Sequence, residues 1–358
     1  DGDRGALLEA SGLVQLDVFG FFRATGSFAF VRSSGSLVVN NGTTSETVAV
    51  QQVIVGATVS SAFAGINGGT AGAIGLQLSD VGLALALFKP SSLTDTRSWT
   101  SLKATVGSAS FVGVDDLTIA VTNLAVAVNQ AGGVGNSTVA DYKNTPLTVA
   151  TGPTTGSVVL DFDGSRGALL QASGAVSINA YGFFSAAGTF TFEKSSGSLT
   201  VSNGTTPETV AVNRLLIGGT VSSAFAGVNG GSAQAMGLQL SGVEFGLALF
   251  KPSLLTDLRS WTALKAEVTS ASFIGVNDLT VAVSNLSVAI NQSSGVGNTQ
   301  VADFATTALT IDTDVTTGNS IDLDFAASAG KLLQVSGDVE LNAFGFFLLN
   351  ALHFLIQR

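Results

Sequence analysis

Along most of the chain, hydrophobic and polar residues alternate with a period of two. The stretch "SGLVQLDVFGFF" (11–22) sets Val14, Leu16 and Val18 against Gln15 and Asp17, the pattern of a strand with one apolar face. "GSFAFV", "IGLQLSDVGLALALF", "SLKATVGSASFVGV" and "LTIAVTNLAVAVN" repeat the theme, separated by Gly, Asn, Asp and Ser, so the spacing predicts β structure throughout. Asn41-Gly42 and Asn203-Gly204 predict tight hairpins, because a type I′ turn needs positive φ at both central residues. Helix is confined to one Ala-rich turn in "SSAFAGINGGTAGAIG" and another in "PSSLTDTRSW". Phe19, Phe21 and Phe22 break the alternation by putting rings on both faces of one strand. The second face therefore needs a cover: the adjoining sheet of the same unit, the next unit, or a neighbouring molecule.

Laying "DGDRGALLEASG" (1–12) on "DGSRGALLQASG" (163–174) exposes a repeat of period 162, with 102 of 162 positions identical and no gap. A third copy opens one residue later with "AGKLLQVSGDVELNAFGFF" (329–347), so the double Phe occurs as "VFGFF", "AYGFF" and "AFGFF". The final "LLNALHFLIQR" (348–358) leaves the repeat and holds the only histidine, His353; a divergent cap and a foreign tail both fit it. The expected organisation is repeat unit 1 over 1–162, repeat unit 2 over 163–325, and a partial third repeat over 326–358 with its divergent tail. Strand follows strand across the junction "TTGSVVLDFDGSRGALLQASGAVSINAYGFF" without a flexible linker. This predicts an all-β fold of tandem repeats stacked as a continuous elongated architecture, either a β-solenoid or a layered β-sheet stack.

Composition narrows the function. Charged residues are 11% of the chain, well under the roughly 25% of an ordinary globular domain. The net charge is −10 and the 15 Lys and Arg are scattered singly, which argues against a nucleic-acid partner. With no cysteine there are no disulfides, thiolate metal sites or cysteine catalysis. Apolar runs such as "VGLALALF" are strand-sized, so no transmembrane helix is expected. A start at Asp1 without Met or signal peptide suggests a processed chain or part of a longer one.

Candidate chemistry is sparse. Asp1 and Asp3, Asp161 and Asp163, and Asp322 and Asp324 form Asp-x-Asp pairs where one repeat hands over to the next, and carboxylates two apart on a loop can share Ca²⁺. Calcium is thus the one cofactor suggested, although the third copy aligns Ala326 with Asp163, and solvated turn carboxylates are the plainer reading. The box "LTDTRSWTSLKA" (93–104), copied at 255–266, carries both tryptophans, Trp99 and Trp261. They read as buried anchors with a local ion pair at the rim, or alternatively as platforms for a sugar ring. No paired carboxylates with a nearby base, no G-x-S-x-G elbow and no complete phosphate loop occur, so the chain does not read as an enzyme. Asn41, Asn136, Asn203 and Asn285 fit the N-glycosylation pattern, which matters only in a secretory host.

The long gap-free repeat, acidic Cys-free composition and Ser/Thr/Asn/Gly surface resemble giant secreted bacterial β-strand-repeat proteins, adhesin-like or matrix-forming. The resemblance implies export and an extracellular or cell-surface location, and a role in a surface layer, biofilm matrix or filament; it transfers no functional residue. The leading expectation is a non-enzymatic structural protein that associates with itself through strand edges or sheet faces. The alternatives are the repeat region of a cell-surface adhesin, with a glycan as a conceivable partner, and a lipid-binding β-groove. In the last, strands such as "LTIAVTNLAVAVN" present one apolar face, a pattern similar to that of periplasmic lipid-bridge proteins. An outer-membrane barrel is a weaker idea, because 2 Tyr and 2 Trp are few for aromatic girdles.

Overall fold

A computed structural model describes residues 7–357 except Thr155 and Thr316. The fold is all-β and antiparallel; among the described residues there is no α-helix and the sheet does not close into a barrel. The chain divides into two compact units, Asp1–Val114 with Ala120–Ala172, and Asp115–Ile119 with Ser173–Arg358. The partial third copy thus falls in the second unit.

In unit 1 a meander of long strands follows sequence order: β1 (Leu8–Val18), β2 (Phe22–Asn40), β3 (Ser45–Ile66), β4 (Ile74–Pro90), β5 (Ser98–Val112) and β6 (Leu117–Gly132). Three short strands come next: β7 (Val139–Ala140), which pairs with β2, and the hairpin β8 (Leu147–Ala150) with β9 (Ser157–Leu160). That hairpin lies across one face of β3, β4 and β5, like a flap. Unit 2 repeats the plan with β10 (Leu169–Ala180), β11 (Phe184–Ser202), β12 (Pro207–Val228), β13 (Met236–Pro252), β14 (Ser260–Ile274) and β15 (Leu279–Ser294). Its β16 (Val301–Ala302) pairs with β11, and β17 (Leu309–Asp314) and β18 (Asn319–Leu323) form its flap. β19 (Leu332–Ala343) and β20 (Phe347–Gln357) extend the sheet beyond β15.

The core of each unit sits under the flap. In unit 1, Leu37, Val50, Ala84 and Phe88 from the sheet meet Val149 and Leu160 from the hairpin, with Trp99 filling the largest space. Flap and sheet approach so closely that a Cβ on Gly56 would lie 2.0 Å from the Ala150 carbonyl oxygen; Gly218 stands equally close to Asp312. The hairpin loops differ from the expected two-residue turns. At Asn41-Gly42 only Gly42 has positive φ, and a four-residue loop closes on Asn41, whose Oδ1 accepts from Thr43 and Thr44 N–H. An Asx side chain here replaces part of the backbone turn. The Ala-rich and Pro-Ser segments form turns and bends without helix.

Halfway along the strands the alternation slips by one residue. Between β2 and β3 the register shifts at Thr25/Gly26, leaving Ser60 as the extra residue, and its hydroxyl donates to the Thr25 carbonyl at 3.0 Å. Asp80 in β4 has φ +53°. Unit 2 shows the same bulge at Ala187/Gly188, with Ser222 donating to the Ala187 carbonyl. The bulge brings the partner backbone to within 2.2 Å of where a Cβ of Gly26 would be, so only glycine fits.

Candidate functional site

The slip decides what each face presents. β1 alternates without interruption, so Ala10, Gly12, Val14, Leu16 and Val18 share a face, and the register carries that face across the sheet. From Ala10 the row runs Phe30, Val55, Leu85, Leu102. Beyond the bulge, Val18 leads to Phe22, Ala64, Leu76 and Phe111. The three rows between are also built of Gly, Ala, Val, Leu and Phe alone. Without the extra residues, Ser61, Ser79 and Ser108 would point to this side; they lie instead on the opposite face, in a row with Gln15 and Thr25.

Unit 2 does the same. One row reads Phe184, Ala226, Leu238, Phe273, Val281, Leu341 and Leu349. In the stretch of β13 and β14 that spans these rows, the charged residues Glu244, Glu267 and Lys265 are in rows of the other face, the one that carries the flap. Five rows, from residue 10 to residue 18 of β1, span about 27 Å at ~3.4 Å per residue, close to the ~30 Å of a bilayer hydrocarbon core. Leu76, Leu238 and Val281 on this face are exposed. Phe rings lie over glycines of the neighbouring strand: a Cβ on Gly12 would touch the Phe28 ring at 3.4 Å, on Gly337 the Phe354 ring at 3.1 Å, and on Gly219 the Phe245 ring at 2.9 Å. Rings lying over neighbouring strands make the face smooth instead of knobbed.

The sequence-predicted site residues are dispersed by comparison. Asp1 and Asp3 lie outside the described residues. Asp161 pairs with Lys103, and Asp163 with Lys143 at 2.7 Å. Asp163 also accepts from Ser165 N–H, capping a short 3-10 turn, and the Lys143 hydrogen bond is the main reason that its pKa is lowered to about 2. Asp324 meets Lys265 at 3.6 Å, and Asp322 accepts from the Thr310 hydroxyl. Each pair is thus split between different partners, and no group of three His, Asp or Glu able to hold a metal occurs among the described residues.

Both tryptophans are 1% exposed, so neither ring is open to a sugar. Trp99 Nε1 donates to the Thr138 carbonyl at 2.8 Å, and Arg97 lies over the ring while binding Asp95 and Glu46. The Arg97 hydrogen bonds hold Asp95 below its ordinary pKa, and Arg259 does the same for Asp257. The segment "GINGGTAGAIG" turns directly into β4 and faces no helix N-terminus. His353 pairs with Asp338 at 3.0 Å on an exposed surface. What the sequence reading missed is the Asx residue that supports each Phe turn: Asp17, Asn179 and Asn342 accept from Gly20, Gly182 and Gly345 N–H. Its signal was the Asp or Asn three residues before the Gly of every "GFF".

The chain matches no family model, and neither curated proteins nor solved structures show significant similarity to it.

Proposed function

We propose that this is a non-enzymatic, lipid-contacting β-sheet protein of the cell surface, whose apolar face lies against acyl chains while the flap-bearing face meets water. One observation carries the reading: five successive rows across five strands of unit 1 contain no polar or charged side chain, yet the opposite face of the same strands is rich in Ser, Thr and Gln. Exposed apolar surface of this extent marks an interaction site. A smooth face suits mobile chains better than it suits a second sheet, whose side chains interdigitate with their partner's.

A second reading is a self-assembling structural layer. Among the described residues β1 pairs with β2 alone and is exposed along nearly its whole length, which favours it, since unpaired edges template further strands. The two separate experimentally. Protein purified without detergent is extracted into organic solvent and the extract weighed by mass spectrometry. Several acyl lipids per chain, lost in a variant combining Leu85→Glu with Leu247→Glu, the equivalent position in the Phe192–Ile217 row of unit 2, that keeps its β-sheet circular dichroism, is the expected result. A lipid-free particle that sediments as a face-to-face dimer would overturn it in favour of self-assembly.

A further inference from the structure

We propose that the Phe turns are interfacial anchors that seat one end of each unit's sheet in the headgroup region of an electrically neutral lipid bilayer. The proposal rests on the lipid-contacting reading and adds where, and to which lipid, the contact is made.

The first observation is conformational. In all three copies a turn closes by a backbone hydrogen bond, Phe21 N–H to the Val18 carbonyl at 2.8 Å, with equivalents at Phe183 and Phe346. The two central residues have positive φ: 50° and 71° at Phe19 and Gly20, 53° and 68° at Tyr181 and Gly182, 55° and 74° at Phe344 and Gly345. Asn, Asp and Gly adopt the first of these positions readily, whereas a bulky aromatic residue there is strained. Core packing does not explain the choice, for Phe19 is 94% exposed, and Tyr181 and Phe344, set against the adjacent hairpin, are still 55% and 56% exposed. An aromatic ring that is locally unfavourable, more than half exposed and present in every copy points to a role outside the fold.

The second observation is the surroundings. Phe21, Phe183 and Phe346 are exposed beside these rings, and the turns run directly into the last row of the apolar face, through Phe22 and Phe184. The turns are held firmly, since Gly65 and Gly68 of the next hairpin donate to the Phe21 and Gly20 carbonyls, and Gly227 and Gly230 do the same in unit 2. Rigid presentation lowers the ordering cost of insertion.

Charge selects the lipid. Tyr181 and Phe344 N–H donate to the carbonyls of Asp116 and Asp278, whose side chains are exposed at the same sheet end. The cation nearest the first turn, Arg23, is already bound to Asp17 at 3.1 Å. A chain of net charge −10 with acidic tips is repelled by anionic headgroups, so a zwitterionic surface is the partner.

The test is flotation with phosphatidylcholine vesicles, and with vesicles containing phosphatidylglycerol, comparing the wild-type chain with Phe19→Asn, Tyr181→Asn, Phe344→Asn combined. Asn suits positive φ, so this variant keeps or raises the thermal midpoint, and misfolding does not explain a loss. Expected is a roughly tenfold or greater drop in the vesicle-bound fraction, the scale set by returning even one buried Phe side chain to water, and weaker binding of the wild type as phosphatidylglycerol increases. Equal flotation of variant and wild type would overturn the anchor while leaving the acyl-contacting face intact. Absence of flotation by the wild type would also overturn the anchor, and the lipid content of the purified protein then decides the face independently. Preference for phosphatidylglycerol would overturn the neutral-bilayer assignment.

Discussion

Asn291 lies directly across the β14–β15 ladder from Ala263, and its buried Oδ1 has no hydrogen-bond partner among the described residues. In unit 1 the same position, Asn129, accepts from the Ser101 hydroxyl, which in turn accepts from Tyr142. Unit 2 carries Ala263 and Phe304 in place of Ser101 and Tyr142, and has lost both donors together. The surviving bond in each unit, Asn Nδ2 to the carbonyl of Ala140 or Ala302, ties the short strand to the sheet.

Restoring the donor with Ala263→Ser should therefore stabilise unit 2 by about 1 kcal/mol, the net worth of one buried hydrogen bond. Urea titration followed by Trp261 fluorescence in a Trp99→Phe background reads it. A midpoint unchanged or lowered would mean that the Asn291 carbonyl is satisfied by water.

Trp99→Ala should cost about 3–5 kcal/mol in unit 1, because it empties the largest buried volume and orphans the Thr138 carbonyl. Trp99→Phe should cost less, about 1–3 kcal/mol, chiefly for the lost Nε1 donor. Calorimetry separates the two if Phe proves the milder.

Gly56→Ala forces a methyl group against the Ala150 backbone, which has no side-chain freedom to yield. Overpacking of about 1–3 kcal/mol or more is expected, with the β8–β9 hairpin loosened first. Hydrogen exchange would show early loss of protection at Val149 and Val158; uniform protection across the unit would contradict the close approach.

The acid limb of stability should involve Asp163. Its folded pKa of about 2 lies below the ~3.9 of an unfolded aspartate. Its contribution is thus present above pH ~4 and lost as pH falls through about 2. Asp163→Asn should flatten the pH dependence of the melting temperature within that window and lower the melting temperature at pH 7 to 8, where the wild type has the full contribution. Since lysines already neutralise Asp161 and Asp163, a chelator should not move the melting temperature at neutral pH; a clear drop would restore these carboxylates as calcium ligands.

The sequence by itself determined the β class, the 162-residue repeat and the existence of an apolar strand face, because side-chain periodicity follows directly from pleated geometry. It also identified Trp99 and Trp261 as candidates for buried anchors, since their local box supplies the Arg and Asp of the rim. Tertiary structure decided the rest. Read with a fixed period of two, β3, β4 and β5 would turn Ser61, Ser79 and Ser108 toward the apolar side. Only the pairing with β2 shows the extra residue at Ser60 that returns them to the polar face. The question of what covers the Phe rings likewise had no local answer. Among the described residues the Phe turns stay at least half exposed, which follows from long-range register and from the short flap, which reaches one end of one face only.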